Sequence, residues 1–203
     1  MTTPLIQAPD GASIVLSSTT TPAADAPGVV VRAAGAALIG GTTLTPIGVM
    51  TRPADTTAYT AGDAVTTATS SAAPLIVANA ARVSGGSGVI LGGAFSKSTT
   101  SVTNASFRIW LFDTTPAAIP NDNAAWLVPV FAERATLIGT VTVDFATAGV
   151  VGSDGVRAPL TMPRGSMAFV AASTSLVAII EARGAYTPGS GEQFALQLDI
   201  LAD

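Results

Sequence analysis

Residues 193–200 read QFALQLDI, and the period of that stretch decides the fold. Phe194, Leu196, Leu198 and Ile200 alternate with Gln193, Ala195, Gln197 and Asp199. An extended chain sends successive side chains to opposite faces, so unbroken alternation marks a strand with one buried face. The same period recurs upstream. In residues 105–112, Phe107, Ile109 and Leu111 face away from Arg108, Trp110 and Phe112. In residues 137–145, Val141, Val143 and Phe145 oppose Thr140, Thr142 and Asp144. Further strands are predicted at residues 47–51, 64–67, 74–78, 88–95, 158–162, 167–172 and 176–183.

Turn residues separate these runs at short intervals. They include Gly62-Asp63, Gly85-Gly86, Asp154-Gly155, Pro163-Arg164-Gly165 and Pro188-Gly189. Many short strands with regular turns predict an all-β fold, an antiparallel β-sandwich or jelly-roll-like domain, over residues 47–203. Helix is expected only at residues 129–136, where Pro129 opens one or two turns.

Residues 1–46 differ in kind. They hold the low-complexity runs SSTTTPAADAPG (17–28) and AAGAALIGGTT (33–43), and dense Pro and Gly exclude long helices and interior strands. The segment reads as an extended N-terminal arm that adds short strands to a neighbour's sheet, rather than as a disordered leader. Its apolar residues would otherwise be left in water. The expected partner-binding positions are Leu5, Ile6, Ile14, Val15, Leu16, Val29, Val30 and Val31.

Composition narrows the chemistry. Charged residues are 11% of 203, less than half the usual share, and hydrophobic ones are 48%. Net charge is only −4, so a surface this poor in charge suits a protein covered by other subunits. Without Cys there is no disulfide, thiolate metal site or thiol nucleophile, and without His there is no Ser-His-Asp triad. Nine basic residues, scattered singly, argue against nucleic-acid binding. Mean hydropathy is +0.53, yet the longest apolar stretch, 167–180, is interrupted by Ser173, Thr174 and Ser175 and falls short of the about 20 residues a spanning helix needs. The opening MTTPLIQAPDG lacks the basic start and apolar run of a signal peptide.

No motif points to catalysis, and no cofactor or metal is expected. Gly85-Gly86-Ser87-Gly88 runs into Val89, Ile90 and Leu91, a strand, where a phosphate loop would need Gly-Lys-Ser/Thr and a helix. A bulge or tight hairpin accounts for it. Asp113, Asn121, Asp122 and Asn123 form the densest oxygen cluster, but lack the ordered ligand series of a calcium loop. Asp122 or Asn123 is expected to bond backbone N–H groups before the short helix that follows. Trp110 and Trp126 flank the same loop and read as core or interface residues rather than a sugar platform. Arg52 and Asp63 are expected to pair and fix a turn.

Three segments carry a resemblance: TRPADTTAYTAGDAVTT (51–67), ARVSGGSGVILGG (81–93) and FRIWLFDTTPAAIPNDNAAW (107–126). In kind and order they resemble a family of small β-sandwich proteins found as virion components of tailed bacteriophages and their prophages. The resemblance covers roughly residues 47–203. It implies a non-enzymatic structural protein located in the virion and assembled in the host cytoplasm. Its partners would be the major capsid protein or other virion proteins, with no nucleic acid or membrane. The reading adopted is a capsid decoration or cement protein outside the head, a homo-oligomer with three sandwiches around a threefold axis hiding weakly charged flanks. An arm of about 45 residues spans up to about 150 Å when extended, enough to bridge capsomers. The alternatives are a neck, tail-fibre or receptor-binding module, or a carbohydrate-binding protein.

Overall fold

A computed structural model describes residues 41–127 and 131–203, with the backbone alone of Arg164, and within the first forty residues the backbone of four short strands. The chain divides into two compact units, Met1–Gly40 and Gly41–Asp203. In the first, β1 (Leu5–Gln7) pairs antiparallel with β2 (Ser13–Val15), and β3 (Arg32–Ala33) with β4 (Ala36–Ala37). Leu5 sits opposite Val15 and Ile6 opposite Ile14, so four of the eight expected contact positions share one ladder. Leu16, Val29, Val30 and Val31 lie outside the described residues.

The second unit is an antiparallel β-sandwich. Its strands are β5 (Thr42–Leu44), β6 (Ile47–Thr51), β7 (Ala64–Val65), β8 (Leu75–Val77), β9 (Ser87–Lys97) and β10 (Ser106–Phe112). They continue with β11 (Leu137–Asp144), β12 (Val150–Val151), β13 (Val156–Pro159), β14 (Met167–Val170), β15 (Leu176–Ala182) and β16 (Gln193–Ala202). The smaller sheet runs β11-β10-β15, with β7 and β8 both on the far side of β15. The larger runs β12-β13-β9-β16-β5, with β14 also on β9 and β6 also on β16. Strand β5 falls within residues the sequence assigned to the arm. It pairs with the C-terminal end of β16, so the sandwich begins at Gly41.

The alternation read from residues 193–200 is realised in β16. Phe194, Leu196, Leu198 and Ile200 are fully buried between the sheets. There they meet Phe95 and Ile90 from β9, and Phe107, Ile109 and Leu111 from the opposite sheet, within one continuous core. Its centre is aromatic. Phe95 stacks on Phe194 at 5.7 Å, and Phe107 meets Tyr186 edge-on at 5.3 Å, geometries that suit the ring quadrupoles.

One bulge adjusts the two long strands to each other. Asp199 pairs with Gly92 and Ile200 with Ile90, leaving Leu91 without a partner. Beside it Gly93 has φ +155°, and a Cβ there would come within 2.1 Å of the Gln197 carbonyl oxygen, so only glycine fits. The expected bulge in this glycine-rich stretch therefore lies a few residues downstream, while Gly85, at φ +77°, makes the turn.

The outer face of the smaller sheet is roofed. Residues between β10 and β11 fold over it, and Ala64, Phe112, Trp126, Val177 and Ile179 form a second core there. This is why every residue of β15 is buried rather than every other one. It is also why Phe112, out of phase with the main core, is buried.

Of the helix expected at residues 129–136, residues 129 and 130 lie outside the described residues and the remainder is corrected. Residues 131–136 form turns, in which the Glu133 carbonyl takes the N–H groups of both Thr136 and Leu137. Among the described residues the α-helix is α1 (Phe145–Ala148), which takes Phe145 off the strand predicted at its end. Asp144 caps it, its Oδ1 accepting from Ala146 N at 2.9 Å.

Candidate functional site

The inward phase of three strands continues past the hydrophobic residues into charged ones. Arg52 follows Met50 by two, Lys97 follows Phe95 by two, and Glu192 precedes Phe194 by two. Lys97 lies directly opposite Phe194 in the ladder, so all three polar side chains gather at one end of the sandwich. They form a buried plug in two joined parts.

In the first part, Arg52 Nη2 lies 2.9 Å from Asp55 Oδ1 and 3.1 Å from Asp122 Oδ2. Its Nε donates to Tyr59 Oη at 2.9 Å, and Tyr59 Oη donates onward to Asp122 Oδ1 at 2.7 Å. Thr66 N also donates to that oxygen, and Arg52 Nη1 reaches the carbonyls of Pro53, Asp55 and Gly189. Burial alone would lower the Arg52 pKa, but the hydrogen bonds to Tyr59 and Asp55 outweigh it and hold the guanidinium above its ordinary value. Burial first, and then the hydrogen bond to Asp122, pushes the Tyr59 hydroxyl well above the usual tyrosine range. The Thr57 backbone N–H, followed by Arg52, lowers that of Asp55.

In the second part, Lys97 Nζ and the Glu192 carboxylate are fully buried and 3.2 Å apart. Lys97 also donates to Thr99 O and Oγ1, and Tyr186 Oη contacts both Glu192 oxygens at 2.7 Å. Desolvation depresses the Lys97 pKa despite Glu192, and desolvation raises that of Tyr186. The parts are joined by the backbone, with Arg52 N donating to Glu192 O at 3.1 Å and Tyr59 N to Tyr186 O at 2.9 Å.

Two expectations are corrected here. Arg52 does not pair with Asp63. Asp63 Oδ2 accepts from Thr60 N and Oγ1, closing its own turn, while Arg52 points inward to Asp122. Asp122 is no helix cap either, because both its oxygens serve the plug. Trp126 lies in the second core and Trp110 packs against it, its Nε1 donating to Glu181 at 2.8 Å. Among the described residues no group of three or more acidic side chains is placed to hold a metal ion. No described helix is long and apolar enough to cross a membrane.

Of the plug's titratable side chains, Asp55 reaches the surface, at 37% exposed, and the others are closed off from solvent. Lys97, Glu192, Arg52 and Asp122 have side chains at most 1% exposed, and each charge is matched by hydrogen bonds within the protein. Its chemistry is structural. Periodicity alone carried the signal for Lys97 and Glu192, which the sequence reading did not single out.

The feature open to a partner is elsewhere, on the outer face of the larger sheet. Unlike the smaller sheet, this face carries exposed apolar residues on several strands. Ile47, Val49, Leu91, Val150 and Val170 are each more than half exposed. A groove of about 860 Å³ runs across it, floored by Gly93, Ala94, Ser96 and Ala195. Compared with protein-family models, with curated proteins and with solved structures, the chain matches none.

Proposed function

We propose that this chain is a non-enzymatic structural protein of a tailed-phage virion, a decoration or cement protein on the outside of the head. The observation that carries the assembly reading is the contrast between the two sheets. One outer face is roofed by the chain's own loop, which buries a second core and exposes Leu127 and Phe131 at its own surface; the other leaves five large apolar side chains of the sheet itself in water. Exposed apolar clusters of this kind mark surfaces that meet another protein. The virion assignment rests in addition on the three segments that resemble phage β-sandwich components. In this reading the sandwich is the rigid body, copies of it associate, and the N-terminal unit attaches them to coat protein through Leu5, Ile6, Ile14, Val15, Leu16 and Val29 to Val31.

The test is a particle assembled without the protein. Heads lacking it are expected to release DNA at a lower temperature than complete heads, and purified protein added back should restore the difference. Heads equally heat-resistant with and without the chain would remove the cement role.

A further inference from the structure

The register of the larger sheet gives its outer face a definite relief. One row across the strands runs Val49, Ala195, Ser96, Arg157 and Val150. The next runs Ile47, Gln197, Ala94 and Pro159. The small side chains of Ala195, Ser96 and Ala94 make a trough, crossed by the Arg157–Gln197 hydrogen bond, and Ile47 and Val49 on β6 make an exposed apolar ridge along one bank. Trough and ridge lie on the same face and run along neighbouring, antiparallel strands.

We propose that this face is a two-fold interface between two copies of the chain, in place of the threefold arrangement expected from the sequence, with the β6 ridge of each copy seated in the trough of the other. An isologous contact requires a patch that complements itself, and a ridge beside a trough of small residues does so. The size is sufficient. The sheet is five strand positions wide and β9 runs eleven residues, so at about 4.8 Å per strand and 3.3 Å per residue its face covers roughly 870 Å². A stable interface takes about 800 Å² from each partner. Charge also permits the pairing. Arg157 on β13 and Asp199 on β16 share the face with opposite signs, so rotation by half a turn can set cation toward acid across the contact. This inference rests on reading the face as an assembly surface and not on attachment to a virion.

Sedimentation equilibrium of the full chain tests it. A dimer is expected at micromolar concentration. Ala195→Arg, which fills the trough, should weaken dimerisation by about a hundredfold or more, and Val49→Thr, which keeps the ridge's shape but makes it polar, by about tenfold. Val83→Asp, an exposed apolar position in the turn before β9, should leave the dimer intact. If Ala195→Arg loses its β-sheet circular dichroism, Val49→Thr decides. A chain monomeric at all concentrations, a trimer or larger ring, or a dimer that both variants leave equally tight would overturn the proposal. No particle is involved, so failure here leaves the virion reading standing. A dimer formed by a protein absent from particles would remove only the latter.

Discussion

Arg52 and Asp122, seventy residues apart, form an ion pair at 3.1 Å with side chains 0% and 1% exposed. The pair ties the strand end at β6 to the loop that roofs the smaller sheet. It thus links the main core to the second one.

Breaking it should be costly. Arg52→Met leaves Asp122 buried with only the Tyr59 hydroxyl and the Thr66 N–H, and should destabilise the protein by about 3–5 kcal/mol. Replacing both partners, with Asp122→Leu added, should recover part of that loss, since no unpaired charge then remains. Arg82→Met, at an exposed position, should stay within about 0.5 kcal/mol. Urea denaturation of the four proteins measures this.

Alkaline pH should unfold the protein through its tyrosines. The chain has two, Tyr59 and Tyr186, both buried and both with pKa values raised above the ordinary 10.0. Above pH 10 the unfolded chain loses phenol protons that the native state keeps, so their stabilisation, complete below pH 10, declines as pH rises further. Lys97 acts in the opposite sense, because its folded pKa is depressed below 10.5, but it is one group against two. Phenolate absorbance should therefore appear together with loss of the β-sheet signal. Phenolate appearing near pH 10 with the fold intact would contradict the burial of both hydroxyls.

Strand β16 should respond on one face only. Leu196→Ala or Leu198→Ala should cost about 2–5 kcal/mol, the range for emptying a packed leucine site. Gln197→Ala, on the outer face, loses a hydrogen bond from Arg157 at 2.8 Å and a long one to Asp199 at 3.4 Å, and should change monomer stability by no more than about 0.5 kcal/mol. Equal losses at Leu196 and Gln197 would mean the strand is not one-sided.

The parts of the fold that were legible are those where period two has a single cause. Phe194 to Ile200 and Phe107 to Leu111 each face one core, so alternation names their buried residues directly. Phe112, Val177 and Ile179 break the pattern because a second core lies outside the sheet, made by a loop that carries no period of its own. The plug was half legible. Arg52 was expected to pair, but its partner Asp122 is brought there by the fold of the loop after β10, which no local pattern encodes. Lys97 and Glu192 sat in phase with Phe95 and Phe194, and a charge in phase with a core is a sign of a buried pair.

Removing Met1–Gly40 should leave a soluble β-protein that melts cooperatively, because the core and all strands of both sheets lie in Gly41–Asp203. Its attachment to particles should weaken sharply. A truncated chain that is unfolded, or that binds as well as the full one, would refute the division of labour between arm and sandwich.

Quantitative staining of purified particles measures the amount of this protein relative to coat protein, and so whether it covers the head. A decoration protein is expected in numbers comparable with the coat protein, on heads as well as on whole particles. A few copies per particle, confined to the neck or tail, or none at all, would contradict the account.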